Sequence, residues 1–228
     1  PRHHRPAHPQ QRNNPVMTAH PTPAGGALTT VVTAEAADLD ALSEVIADAF
    51  HPLAPSQWLI PDDAARRDIF PAYFRIFVEH ALAHGTVHTV PDRSAAALWF
   101  PVGPDGPVAP DRYAERLTTT TGPWAHRFRA FEAALDSRHP VGIPHQHLAM
   151  LAVHPSRQGH GIGTALLRAH HHTLDHDARV QAYLEASDLR TRQLYLHEGY
   201  TDHGPPIRLP GGPRMYPMLR RHHQPKPS

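Results

Sequence analysis

The segment 147–175 limits the fold more than any other part of the chain. Residues 147–153 are a near-continuous apolar run, residues 154–163 form a glycine-rich turn, and a helix with apolar positions at helical spacing runs from about 164 to 175. A strand, a glycine turn and a helix in direct succession set the first free N–H groups of the helix, and the positive end of its dipole, beside the end of the strand. That layout suits an anion. It also commits the chain to a sheet with a helix packed against it.

The flanking sequence supplies the other layers. Residues 28–33 are short and β-branched, and they precede a helical stretch, 36–50, in which Leu39, Leu42, Val45, Ile46 and Ala49 line one face. Asp62 and Asp63 can cap a second helix, whose apolar members Ile69, Phe70, Tyr73, Phe74, Phe77, Val78 and Leu82 run to a stop near Gly85. Residues 86–90 and 95–100 flank the turn Pro91-Asp92-Arg93-Ser94 and predict an antiparallel hairpin. Residues 101–110 are a breaker-rich loop, 112–117 and 123–135 predict further helix, and 136–144 a connection. Residues 180–185 predict a strand, 191–197 a helix closed by Gly199, and 214–219 a last strand. Strands on both sides of the helices, partly antiparallel, imply an α/β fold with a mixed sheet and not a doubly wound one.

Composition excludes several chemistries. The chain has 228 residues, enough for one good-sized domain, and this domain is expected over residues 28–221. With 22 Lys and Arg against 21 Asp and Glu, the net charge of +1 gives no long-range field to draw nucleic acid. The absence of cysteine removes disulfides, thiolate zinc ligation and a thiol nucleophile, and it fits the cytoplasm. No run approaches the roughly 18 apolar residues of a membrane span, so a soluble protein without membrane contact is expected. Residues 1–27, rich in Pro, His, Gln and Asn, read as a disordered arm, with Met17 a candidate start, and 222–228 as a flexible tail. Among 22 histidines, His172 and His176 stand one helical turn apart and His170-His171-His172 and His222-His223 add imidazoles, but none has a carboxylate at a recognisable catalytic spacing. No metal site is expected.

The loop Arg157-Gln158-Gly159-His160-Gly161-Ile162-Gly163-Thr164 is testable against three phosphate-binding patterns. A Walker A loop needs Lys after its last glycine, whereas Thr164 and Ala165 follow Gly163. The dinucleotide fingerprint needs a glycine where Thr164 stands, and no early βαβ unit surrounds the loop. What fits is Gln or Arg, two residues, Gly, one residue, Gly or Ala, met here by Gln158, Gly161 and Gly163. This resembles the coenzyme A loop of the GNAT superfamily of N-acyltransferases. The similarity extends over residues 28–221, and within the superfamily it looks most like puromycin N-acetyltransferase and its actinobacterial relatives. It is carried by residues 87–101, including Ala95-Ala96-Ala97-Leu98-Trp99, by Phe131-Glu132 through Leu135, and by residues 148–165. Further matches are Tyr183-Leu184-Glu185-Ala186-Ser187 with Arg190, and Leu194-Tyr195 with Glu198-Gly199-Tyr200.

The resemblance implies a mostly antiparallel central sheet with splayed central strands flanked by helices. It also implies acetyl-CoA as co-substrate and direct transfer of the acetyl group to a small primary amine in a ternary complex, by a monomer or homodimer. In the family pattern Leu151, Ala152 and Val153 pair through their backbone with the pantetheine arm. Arg157, Gln158, Gly159, His160, Gly161, Ile162, Gly163 and Thr164 enclose the pyrophosphate, and Arg157, Arg168 and Arg190 are candidate phosphate partners. Tyr195 stands where the family places the acid that protonates the departing thiolate. An alkylamine with a pKa of about 10 must lose a proton before it attacks, so a base is required. Glu185, His147 and a backbone-held water are the three candidates. Two other readings stay open: a noncatalytic acyl-CoA-binding regulatory module, and an N-acetyltransferase of proteins or peptides.

Overall fold

The computed structural model describes residues 29–176 and 180–221; the expected arm 1–27, Met17, the tail 222–228 and His222-His223 lie outside them. Eight strands form one sheet: β1 (Val32–Thr33), β2 (Thr86–Thr89), β3 (Ala95–Val102), β4 (His145–Val153), β5 (Gln181–Ala186), β6 (Thr201–Asp202), β7 (Ile207–Arg208) and β8 (Arg214–Arg220). Their spatial order is β1-β2-β3-β4-β5-β8-β6, with β7 also on β8, and every pairing is antiparallel except β4 with β5. The expected mixed, mostly antiparallel α/β sheet is therefore present, and its central strands do splay.

The splay has a local cause. Leu98 of β3 pairs with Met150 whereas the next residue, Trp99, pairs with Leu148, so Ala149 is an extra residue in β4. Such a bulge bends its strand and raises the local twist. β4 touches β5 only through His145↔Gln181, Gln146↔Ala182 and His147↔Tyr183, all before the bulge. Beyond it β4 follows β3 and β5 follows β8. A gap opens between them, and the β4 edge from Leu148 to Val153 is left without a strand partner.

Helices cover the two faces. On one face α1 (Leu39–Phe50) and α3 (Asp63–His84) bury Leu42, Ile46, Phe70, Phe74 and Val78 against Val87, Ala96, Leu98, Met150 and Ala152. On the other, α6 (Ile162–Leu174) and α7 (Leu189–His197) bury Ile162, Leu166, Leu167 and Tyr195 against Ala95, Ala97, Trp99, Leu148, Leu184 and Ala186. Burying one such aliphatic side chain stabilises the fold by about 1.5–3 kcal/mol. No helix among the described residues is long and apolar enough to cross a membrane.

Several boundaries depart from the sequence expectation for identifiable reasons. A short helix α2 (Ala54–Leu59) occupies a stretch for which the sequence predicts no element; Pro55 lies in its first turn, where a missing N–H costs nothing. Helix α4 (Tyr113–Thr121) runs past residue 117 through a threonine run of weak helix propensity, whose last member, Thr121, is buried with its hydroxyl on the Leu117 carbonyl. Helix α5 (Ala125–Asp136) follows a 3-10 turn at Gly122–Trp124. Strand β4 begins two residues early because His145, polar by type, is buried. Helix α7 begins at Leu189 because Asp188 and Thr191 form a reciprocal cap at its start.

The α6 face carries two buried histidines that set a pH limit. His170 stacks on Trp99 with ring centroids 4.0 Å apart and meets His88 at 3.1 Å, while His171 bonds the Tyr200 hydroxyl at 2.9 Å. Burial holds both imidazoles neutral, lowering His170 to about 3 and His171 to about 4. The unfolded chain takes up these protons near pH 6.5, so between that pH and about 4 the unfolded state binds more protons than the fold. Stability therefore falls as pH drops through this window, by up to about 1.4 kcal/mol per pH unit for each group. Urea unfolding midpoints measured from pH 7.5 to 4.5 check this; a midpoint that stays constant or rises below pH 6.5 contradicts it.

Candidate active site

The glycine loop leaves β4 at Val153, where the His154 N–H donates to the Ser94 carbonyl at 2.8 Å. A 3-10 turn, Pro155–Arg157, reverses the chain, and the Gln158 side-chain amide donates to the Val153 carbonyl at 3.0 Å, tying the loop to the strand end. Gly159 and Gly161 have φ of 82° and 77°, a left-handed region that a side chain with Cβ disfavours. Gly161 is the N-cap of α6, and Ile162 anchors the first turn in the core. The N–H groups of Gly159, His160 and Gly161 find no acceptor among the described residues. With the free donors of the first turn of α6, Gly163 and Thr164 among its residues, they make an exposed nest for an anion. A Cβ on Gly163 would lie 3.7 Å from Leu151 and Val153, an ordinary contact.

The candidate arginines differ in their engagement. Arg157 pairs with Asp92 at 3.3 Å beside the loop, and Arg190 is exposed at the start of α7. Arg168 forms a bidentate pair with Glu198 at 3.0 and 2.8 Å, which commits its guanidinium to α7. It lines a separate open hollow at the far end of α6, with His172 and Arg220.

The residues before the gap make the other half of the site. His147 on β4 and Glu185 on β5, read as separate candidates for the base, meet directly, with Nε2 3.0 Å from Oε2. Alternation along β5 turns Glu185 and Tyr183 away from the face that buries Leu184 and Ala186. Two histidines not singled out from sequence complete the group. His139, in the connection after α5, places Nδ1 3.9 Å from Oε1 of Glu185, and its Nε2 is 3.1 Å from Nε2 of His145. Tyr183 packs edge-on against His139 and His145. Burial pushes the Glu185 carboxyl up, but His147, hydrogen-bonded to it, and the neighbouring His139 imidazole outweigh it and hold it down at about 2. Burial lowers His145 to about 4.

Tyr195 comes from the opposite face. It is buried between α7 and the sheet, edge-on to Tyr200 at 5.7 Å, and burial raises its hydroxyl well above the usual tyrosine range. Tyr195 and the His147–Glu185 pair therefore lie on opposite faces of the sheet. The aromatic residues before the loop divide into two sets. Phe70, Tyr73, Phe74 and Phe128 are core, while Trp58, Phe77, Trp124 and Phe131 are only partly buried. The Trp58 indole donates to the Pro210 carbonyl at 3.1 Å, Arg127 lies over its ring at 4.7 Å, and a Cβ on Gly212 would meet it at 2.4 Å. The turn before β8 is thereby fixed against α2 and α5.

Residues 128–202, which contain β4, the loop, α6, β5 and α7, match the family model of the acetyltransferase (GNAT) domain. The fold is that of the GNAT acetyltransferases. Among solved structures the chain is 25% identical, with a TM-score of 0.64, to a Corynebacterium glutamicum protein described as histone acetyltransferase HPA2 and related acetyltransferase, covering 88% of this chain and 99% of that one. Arylalkylamine N-acetyltransferase 2 from Aedes aegypti is 11% identical with a TM-score of 0.56, covering 85% and 99%. An N-acetyltransferase from Thermoplasma acidophilum, solved in complex with coenzyme A, is 10% identical with a TM-score of 0.51, covering 85% and 98%. No curated protein sequence matches the chain.

In this loop the two glycines have different physical reasons, and stability separates them. Gly161→Ala forces Cβ into a left-handed conformation and is expected to cost about 1–2 kcal/mol. Gly163→Ala, in the first turn of α6, is expected to stay within about 0.5 kcal/mol of the parent. Denaturant unfolding of the two variants measures both, and equal losses would contradict the loop geometry.

Proposed function

We propose that the protein is an acetyl-CoA-dependent N-acetyltransferase acting on the primary amine of a small molecule. The observation that carries this is the open β4 edge from Leu148 to Val153, with a nest of free N–H groups at its end and the His147–Glu185 pair at its start. An extended amide-bearing arm can add to such an edge as a strand does, with its pyrophosphate on the nest and its thioester in the gap. Leu151, Ala152 and Val153 supply the backbone partners, and residues Arg157 to Thr164 enclose the phosphates, with Arg190 at the rim.

In the reaction the Nε2–H of His147 donates to Glu185, and the other ring nitrogen takes a proton from the incoming ammonium. The freed amine attacks the thioester carbonyl, the C–N bond forms, and the C–S bond breaks as the tetrahedral adduct collapses. The departing thiolate takes the proton of the Tyr195 hydroxyl from the opposite side of the gap. The second proton of the attacking nitrogen, lost as the adduct becomes a neutral amide, returns through water to the tyrosinate, so that the one proton released per turnover is the one held on His147. No acyl-enzyme is needed, in keeping with a chain that lacks cysteine. The partly buried aromatics Trp58, Phe77, Trp124 and Phe131, and the likeness to puromycin N-acetyltransferases in the sequence, favour a hydrophobic small amine. The Corynebacterium structure's description favours a protein acceptor instead.

Release of free thiol from acetyl-CoA across a matched acceptor panel tests the reading. We expect turnover of an arylalkylamine or aminonucleoside and little with free lysine or histones; a clear preference for protein lysines replaces the acceptor class. Tyr195→Phe is expected to lower kcat by about 10²–10⁴ with acetyl-CoA affinity intact. A kcat within twofold of the parent removes Tyr195 from its role.

A further inference from the structure

The hydrogen bonds around Glu185 carry a consequence beyond acetyl transfer. Nδ1 of His145 lies 2.7 Å from the Ile143 carbonyl, which can only accept, so that nitrogen carries the proton of the buried, neutral ring. Nε2 of His145 is then an acceptor, and Nε2 of His139, 3.1 Å away, must donate to it. A neutral His139 is left with its lone pair at Nδ1, facing Oε1 of Glu185. The 3.9 Å separation is too long for a hydrogen bond. Oε1 is buried on a side chain only 6% exposed and has no hydrogen-bond partner among the described residues. Two lone pairs thus converge with nothing between them, and the space calls for a positive species, a proton or a metal ion.

We propose that His139, His147 and Glu185 bind a divalent transition-metal cation such as Zn2+. One ligand atom from each residue lies within 4.8 Å of the others. Bonds of about 2.0–2.2 Å in a tetrahedral site put ligand atoms about 3.3–3.6 Å apart, so the set closes with small side-chain movements. Two imidazoles and one carboxylate suit zinc, whereas magnesium and calcium take oxygen ligands. The remote N–H of His139 is held by His145, the kind of support that fixes a ligating imidazole. Three protein ligands leave the fourth position to water.

The exposed pair His172 and His176, whose rings are 5.0 Å apart, offers two imidazoles only and serves as the background site. Because the ion takes Nε2 of His147 and the Glu185 carboxylate, it excludes their action as a base. This last step rests on the proposed acetyl transfer; the binding itself does not.

The test is titration of chelator-stripped full-length protein with Zn2+ against a chromogenic competitor. Wild type and the double variant His172→Gln/His176→Gln are expected to bind one tight equivalent, and Glu185→Gln and His139→Ala to lose it. His145→Phe is expected to weaken it about 10- to 100-fold. No tight equivalent in wild type, or its retention in Glu185→Gln, overturns the proposal. Anomalous scattering at the zinc edge from wild-type crystals needs no variant. A peak among His139, His147 and Glu185 supports the site, and a peak at His172 and His176 alone overturns it. Inactivity towards every amine would sink the acetyl-transfer reading and leave these results unchanged.

Discussion

One extra residue in β4 separates the strands on which the whole site is built. If Ala149 were absent, β4 would keep its register with β3 and could run on beside β5, and the edge from Leu148 to Val153 would be consumed by sheet pairing. The bulge sends Ala149 and Met150 towards the α1–α3 face in succession, which lets Leu148 behind and Leu151 ahead both reach the α6–α7 face. Both cores are thus satisfied while a backbone edge is left open. An open edge is a liability in a sheet and tends to be filled, so its place beside a nest of unpaired N–H groups gives it a purpose.

The last paired residues before the gap bring the polar groups together. Glu185 is a nearly buried carboxylate, and isolated burial of that charge would be costly. His147 and His139 keep it ionised, and His145 and Tyr183 keep those rings in place. Tyr195 approaches from the far face, protonated because burial disfavours its anion. The proposed transfer removes a proton from one reactant and delivers one to another, and it assigns these tasks to the carboxylate-supported imidazole on one face of the sheet and the neutral tyrosine on the other. The same polar density makes the site a trap for a cation.

What could be read from the sequence was what depends on neighbours along the chain. Gln158, Gly161 and Gly163 lie in one turn, and left-handed glycines followed by a helical apolar period declare a strand-loop-helix unit without tertiary information. Glu185, His147 and Tyr195 were found as separate candidates, but not that the first two touch. His139 and His145 were missed because their role comes from the packing of a connection onto the sheet; six residues of spacing between two histidines carry no signal in a chain with 22 of them. The bulge was also illegible, since Leu148, Ala149 and Met150 are apolar and fit an unbroken strand equally well. Helix α2 was hidden by prolines whose position in the first turn only the fold reveals.

The central claim is that the open β4 edge and the glycine nest together receive a coenzyme A thioester. Amide hydrogen exchange measured with and without coenzyme A tests it most directly, because it reports on the backbone groups themselves. The account predicts slowed exchange within residues 148–153 and 159–164 on addition of coenzyme A, with β2 and β8 unchanged. Coenzyme A binding with no protection in either segment would contradict it.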